Sequence, residues 1–390
     1  MSDFSRGRPT RCVIDHDALR WNLAQIRKRV GAQVKILSMV KANGYGHGAG
    51  AVARTLEAAG SDAFGVATLE EALELREARI RAPILVLAGI YVEQIKEFLD
   101  HSLTPVVHDS FRLRQLDDAA QKIGARLGVH LKIDTGMGRL GFLPAEADSW
   151  IRELKELRAL KLEGIFSHFS HAESVQGDYT RKQLEVFNSI LEKLRAERIC
   201  PPLIHLANSA ATITFPPAYF DMVRPGIMLY GVYPSPEMIK QVDLKPALTW
   251  KTNILQLKKV PSGTSISYGQ TFITERESLI ATLPVGYADG YPRLLSNRGQ
   301  ALVRGQRAPV VGRVCMDLTM IDVTDIRNVE QGDEVVLLGR QDNAEISADE
   351  VAAWANTISY EILTSIGARV PRIHHHLEED HRSWAGSNGP

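Results

Sequence analysis

Between residue 11 and about residue 232 the chain repeats one unit: a short apolar, β-branched run, a polar turn, then a stretch with helical spacing. The runs are Arg11–Ile14, Val34–Val40, Ala63–Ala67, Ile84–Ala88, Thr104–Val107, Gly128–Ile133, Leu162–Phe166, Leu203–Leu206 and Met222–Gly226. Between them, Leu19, Leu23, Ile26 and Val30 recur at i, i+4, i+7 and i+11 behind Asp15 or Asp17, either of which can cap a helix. Leu184, Phe187, Leu191 and Leu194 repeat that spacing later. Apolar strands alternating with amphipathic helices point to a parallel sheet covered on both faces. Eight or nine units in ~220 residues fit a (β/α)8 TIM-type barrel better than an open sheet, though the count alone leaves the open sheet standing.

After Tyr233 the texture changes. Pro234-Ser235-Pro236 reads as a linker. Thr249–Leu257, Ser278–Pro284, Ala301–Val303, Ala308–Val314, Thr319–Val323 and Asp333–Leu338 read as strands separated by Gly, Pro and Asp turns, with one helical stretch at Ala348–Ile366. The expected organisation is therefore a barrel over 11–240, a mostly-β C-terminal domain (barrel or sandwich) over 241–373, and a frayed polar tail over 374–390.

Composition narrows the function classes. The 46 Lys+Arg and 46 Asp+Glu cancel, which disfavours nucleic acid as a partner. No apolar run reaches the ~18 residues that span a bilayer, and the polar start MSDFSRGRPTRC does not read as a signal peptide, so a soluble cytoplasmic protein is expected. The three cysteines, Cys12, Cys200 and Cys315, are odd in number and far apart, unlike a secreted disulfide framework.

In a barrel of this type, chemistry sits at the C-terminal ends of the strands. Lys41 follows Ile36–Val40; Lys132, Asp134 and Arg139 follow Gly128–Leu131; His168 follows Leu162–Phe166; Asn208 and Ser209 follow Ile204–Leu206; Arg224, Pro225 and Gly226 follow Met222-Val223. Together they form a cationic pocket with small, phosphate-friendly residues. A lysine leaving a buried strand among other cations has a lowered pKa and a nucleophilic amine, although Lys41 taken alone could simply reach out to solvent. Gly44 to Ala49 also satisfies a GxGxxG/A dinucleotide turn, which would serve a nicotinamide dehydrogenase without needing Lys41. That turn requires an acid at a strand end about 20 residues on. The nearby acid, Glu70, reads as part of a first helical turn.

The segment MVKANGYGHG resembles the pyridoxal-phosphate (PLP) lysine motif of the alanine racemases. LKIDTGMGRLGF (131–142), SHFS (167–170), HLANSAA (205–211), VRPGIMLYG (223–231), SYGQTF (267–272), LPVGYADGY (283–291), VGRVCMDLTMIDVT (311–324) and ANTISYEILT (355–364) resemble that family too, in its order. The resemblance covers residues 11 to about 373 and implies a PLP-binding barrel followed by a β-domain.

Carried over, it makes Lys41 the residue joined to PLP as a Schiff base. It places Tyr45, Ser209, the backbone at Gly226 and Ile227, and Tyr360 around the phosphate, with Asn208 beside them. Arg224 would face the pyridine nitrogen, and a guanidinium there donates a hydrogen bond without giving up its proton. Arg139 would contact cofactor and substrate carboxylate, and Lys132 could carry a carbamate that orients it. Lys41 would serve one face of the substrate and Tyr268 the other, with a hydrogen-bond chain from Tyr268 through His168 to Arg224. In the family Tyr268, Met316 (whose N–H binds substrate carboxylate) and Asp317 come from the partner, which implies a homodimer with shared active sites. The implied activity is interconversion of L- and D-alanine, supplying D-alanine for peptidoglycan. A broad-specificity racemase of the same fold is the alternative, while a basic amino-acid decarboxylase would pair the pyridine with a carboxylate, and a PLP carrier would lack residues 241–373.

Other residues have plainer readings. His205 reads as support behind the site, Cys315 as packing, and His374-His375-His376 as solvated tail, with no metal site expected. Tyr287 and Asp289 read as turn formers. Arg293, Arg313 and Ile358 match positions at the family's substrate entrance, but the acid there falls at Glu173 beside His171, which departs from the family pattern.

Overall fold

The computed structural model describes residues 7–173, 177–239 and 241–375. It divides into two compact units, Leu19–Lys245 and Met1–Ala18 with Pro246–Pro390. After β1 (Arg11–Asp15) come β2 (Lys35–Met39), β3 (Ala63–Val66), β4 (Ile84–Val86), β5 (Leu103–Val107), β6 (Leu127–Lys132), β7 (Leu160–Phe166), β8 (Leu203–His205) and β9 (Met222–Val223). Strands β2 to β9 form a closed parallel barrel in sequence order, shut by the pairs Lys35↔Met222 and Ile36↔Val223. Every residue of β3 and β4 is buried, as strands covered on both faces require.

The helix His16–Val30 buries the spaced Leu19, Leu23, Ile26 and Val30, each contributing about 2 kcal/mol by leaving water. Its cap is Asp15, whose carboxylate accepts from the N–H groups of Asp17 and Ala18 at 2.9 and 3.0 Å. In the helix Asp178–Ala196 the buried face holds Phe187, Leu191 and Leu194 as expected, but Gln183 and Ile190 take the place given to Leu184. Gln183 can be there because its amide is satisfied: it accepts from the Ser170 N–H and donates to the His168 carbonyl.

The first apolar run is not a barrel strand. β1 pairs antiparallel with β10 (Leu248–Asn253) and parallel with β20 (Arg372–His375), both in the second unit. An apolar β-branched run records burial, not the sheet that buries it. The rest of that unit is β11 (Gln256–Val260), β12 (Ser265–Ile266), β13 (Phe272–Ile273), β14 (Ser278–Leu283), β15 (Gln300–Val303), β16 (Gln306–Pro309), β17 (Thr319–Asp322), β18 (Glu334–Gln341) and β19 (Ala344–Ile346). One sheet runs β16-β15-β18-β10-β1-β20 with β19 on β18; β11-β14-β17 and β12-β13 form two smaller sheets. Ile266, Ile280 and Val311 make a small core against Val260, Phe272 and Met320.

Two further expectations shift. The helical stretch at 348–366 is two helices, Ala348–Trp354 and Ser359–Ser365, broken where Asn356 adopts φ 53°. His374 and His375, where the tail was expected to start, are strand: Ile14↔His374 and Asp15↔His375 continue the β1–β20 pairing. His376 and the rest of the tail, like residue 240 at the expected domain boundary, lie outside the described residues. Among the described residues no helix is long and apolar enough to cross a membrane.

Candidate active site

Lys41 leaves β2 into a turn of unusual backbone. Ala42, Asn43, Gly44 and Tyr45 all have positive φ, 52°, 54°, 61° and 51°. Left-handed conformation costs a non-glycine residue about 1–2 kcal/mol, so Ala42, Asn43 and Tyr45 within one four-residue run need support from outside the turn. Glu71 provides some: its carboxylate accepts from the Ala42 N–H at 2.6 Å and the Ala67 N–H at 2.7 Å, joining the ends of β2 and β3. Asn43 accepts from the Ala49 N–H at 2.9 Å. Glu70, the acid a dinucleotide turn would need, lies exposed in the first turn of the helix Leu69–Glu77, behind its cap Thr68.

The strand ends bring cations together. The Lys41 amine is lowered below its usual pKa by burial, then by Arg139, with Glu71 opposing. Lys132 is 5% exposed and lowered to about 8 by burial, then by Arg139 and Arg224. Its Nζ sits 5.9 Å above the Phe166 ring, and the Arg224 guanidinium lies 5.0 Å from the same ring. Arg139 stands on a loop organised by Asp134, which accepts from the N–H groups of Gly136, Met137 and Gly138 at 3.0, 2.9 and 3.0 Å.

Arg224, 3% exposed, orders the interior. Burial pulls its pKa down to about 9, which leaves it protonated at neutral pH. It donates to His205 Nδ1 at 2.9 Å, to His168 Nδ1 at 3.2 Å, and to the carbonyls of Ser167 and Leu206 at 2.7 and 3.1 Å. A guanidinium only donates, so both Nδ1 atoms are acceptors and both rings carry their proton on Nε2. His205 Nε2 therefore donates to His130 Nδ1 at 2.9 Å. The chain has one polarity, from Arg224 through His205 to His130. Burial first, and Arg224 next, hold His130 (to about 4), His168 and His205 below the ordinary histidine range, so all three are neutral. Gly164 leaves room for His130, since a Cβ there would meet its ring at 2.4 Å. Sequence reasoning missed His130, and only its place two strands from His205, across β7, reveals it.

Beside this chain lies a polar cradle. Asn208 caps the helix Ser209–Thr214, accepting from the Ala211 N–H at 3.0 Å, and Ser209 Oγ accepts from the Gly226 N–H at 2.8 Å. A Cβ on Gly226 would meet Tyr45 Oη at 2.4 Å, so glycine is what brings the phenol against this backbone. Tyr45 is fixed by stacking on Tyr230 at 4.9 Å, and Tyr230 donates to the Met39 carbonyl at 2.9 Å. Ile227 opens a short helical turn, where an N–H has no partner within the helix.

The remaining expected residues lie in the second unit. Tyr268, 73% exposed, and Met316, 54% exposed, line one groove of about 480 Å³ with Ser267, Cys315, Asp317, Leu318 and Met320. Ser267 and Gly269, flanking Tyr268, have φ 67° and 73°, and Ser267 Oγ donates to the Arg313 carbonyl at 2.7 Å. Tyr360 stands on the helix Ser359–Ser365, half-buried.

This arrangement has relatives. Residues 14–234 match the model of the alanine racemase N-terminal domain and residues 247–374 that of the C-terminal domain. The alanine racemase of Halothermothrix orenii is 50% identical over 94% of this chain and 96% of its own. That of Desulforamulus reducens is 48% identical over 94% and 99%. Among solved structures, the alanine racemase of Streptomyces lavendulae superposes with a TM-score of 0.91 at 36% identity, covering 96% of this chain and 99% of its own. The Bacillus anthracis alanine racemase with bound L-Ala-P gives 0.89 at 38% identity, covering 95% and 96%.

Proposed function

Because the chain belongs to the alanine racemase family and interconverts L- and D-alanine, we propose that its barrel holds pyridoxal phosphate and that Lys41 and Tyr268 are its two bases. The residues fit that group. The cations at the barrel strand ends, Lys132 and Arg224 buried, Lys41 half-buried and Arg139 exposed, suit a phosphorylated anion, and Tyr45, Ser209, the Gly226 and Ile227 backbone and Tyr360 are the residues that would hold its phosphate, with Asn208 beside them. Among the described residues Arg224 spends both terminal nitrogens on hydrogen bonds and leaves Nε for the ring nitrogen. When bound, the cofactor withdraws electrons from the substrate and makes the hydrogen on its α-carbon acidic.

The chain's own residues do the rest. Lys41 would hold the cofactor, and its Nζ would move the proton on one face of the substrate. The pKa of Lys41, lowered by burial and by Arg139, supports this, because a lowered pKa makes the neutral amine that accepts a proton easier to reach. The partner subunit's Tyr268 moves the proton on the other face, with His168 Nε2–H as its hydrogen-bond donor. Arg139 and the Met316 N–H hold the substrate carboxylate, and Lys132, carbamylated or not, orients Arg139. The active form is then a homodimer with shared sites, and the reaction supplies D-alanine for peptidoglycan.

The observation that carries this reading is the polarity of the Arg224 bonds, which keeps His168 neutral with its proton aimed outward from the guanidinium. The test uses the holoenzyme in heavy water, following Cα–H exchange and optical purity together. Exchange with inversion, lost in Lys41→Ala and confined to one enantiomer in Tyr268→Phe, is the expected result. Mixing the two inactive variants should restore about a quarter of the activity if sites are shared across a two-fold interface. No recovery, with heterodimers demonstrated by mass, would overturn the shared site.

A further inference from the structure

We infer that Arg369 is a positioning residue for the racemase reaction: it ties a buried carboxylate, Asp289, to Asp317, and so fixes the direction of the Met316 N–H. This rests on the reading of Met316 as a contact to substrate carboxylate.

The chain of contacts lies within the second unit. Asp289 is fully buried, and its carboxylate accepts from Gly286 N–H at 3.0 Å, from Arg8 at 3.1 and 2.5 Å, and from Arg369 Nε at 2.7 Å. Bidentate guanidinium contacts are geometrically specific, so the turn Gly286–Gly290 is held firmly at its centre. That turn in turn grips the Met316 segment. Tyr287 N–H donates to the Cys315 carbonyl and Ala288 N–H to the Met316 carbonyl, both at 3.0 Å. The approach is close: a Cβ on Gly286 would meet the Cys315 oxygen at 2.3 Å and the Met316 oxygen at 2.4 Å.

These two bonds decide where the next N–H groups point. A peptide unit is planar and trans, so the Met316 N–H is directed opposite to the Cys315 carbonyl. With that carbonyl bonded to the turn, the N–H faces away from it. Among the described residues it has no hydrogen-bond partner. Arg369 closes the loop from the far side, donating from its other nitrogen to Asp317 Oδ1 at 2.5 Å. A surface ion pair by itself contributes little. Here the guanidinium is already ordered by a buried acid, so the second contact tethers Asp317 to a fixed point.

The test compares the Arg369→Ala, Asp317→Asn and double-variant holoenzymes with the unaltered one. Asp317→Asn leaves the buried Asp289 cluster intact, so a folding defect in Arg369→Ala cannot decide the matter. Two readouts are taken: kcat and KM for L-alanine, and amide hydrogen exchange at Tyr287 and Ala288, whose protection reports the bonds to the Met316 segment. The expected result is a KM raised about tenfold with kcat within about threefold, faster exchange at both amides, and a double variant no worse than either single one. Unchanged exchange in Asp317→Asn overturns the positioning role whatever the kinetics. Faster exchange with KM unmoved overturns the Met316 reading, and this inference with it.

Discussion

The barrel and the β unit present their chemistry in opposite ways. In the barrel, Arg224, His168, His205 and His130 lie behind the strand ends, with hydrogen-bond directions fixed by a donor that cannot accept. In the β unit, Tyr268 and Met316 stand 73% and 54% exposed on an open groove, supported from below by turns and ion pairs. Burial makes an electrostatic arrangement strong and costly to disturb. Exposure leaves a functional group cheap to alter in the isolated fold. Removing a buried group should therefore damage stability and activity together, whereas removing an exposed one should damage activity alone.

The largest expected effect tests the exposed side. Tyr268→Phe should lower kcat by about 10²–10⁴-fold, the usual contribution of a general acid–base group, while the thermal midpoint stays within a degree or so. A drop in the midpoint comparable to that of a core substitution would break the comparison, as would full activity. On the buried side, His205→Phe leaves the Arg224 and His130 nitrogens without their partner, and should cost about 2–4 kcal/mol in urea unfolding. A cost below about 0.5 kcal/mol would show that the chain is not what orders the interior.

A third test uses pH. The histidines are neutral in the fold, with His130 lowered from 6.5 to about 4 by burial and then by Arg224. The unfolded chain takes up protons below 6.5 that the fold refuses, so the stabilisation is complete above that pH and is lost as pH falls towards 4. His130 alone accounts for about 3 kcal/mol across that window. Unfolding free energies measured from pH 7 to 4 should fall accordingly, and less steeply in His130→Asn. The smallest effect belongs to the support of the Lys41 turn. Glu71→Gln keeps one acceptor of two, so about 1 kcal/mol of stability should go, with a slower kcat from a less well-placed Lys41.

Much of the barrel is legible in the sequence alone. Eight of the nine runs named from sequence fall on β2 to β9, because a strand covered on both faces writes its burial into a continuous apolar stretch. The residues following those runs gather as expected, since a closed parallel barrel brings all its strand ends to one rim. The helix Asp178–Ala196 was legible in outline but not at Gln183, because a polar residue on the core face is chosen by partners 13 to 48 residues away. His130 carried no signal, since an isolated histidine inside an apolar run announces neither a partner nor a direction.

What the sequence settled by itself is local: the period of each element, the residue at each strand end, and the ordered motifs that mark the family. What the tertiary structure decided is pairing across distance. It placed β1 beside β10 and β20, joined His130 to His205 and Arg224, and bridged Asp289 to Asp317 through Arg369. Spacing along a chain records how each residue is buried. Which distant group satisfies a buried donor or charge is fixed only when the whole fold closes around it.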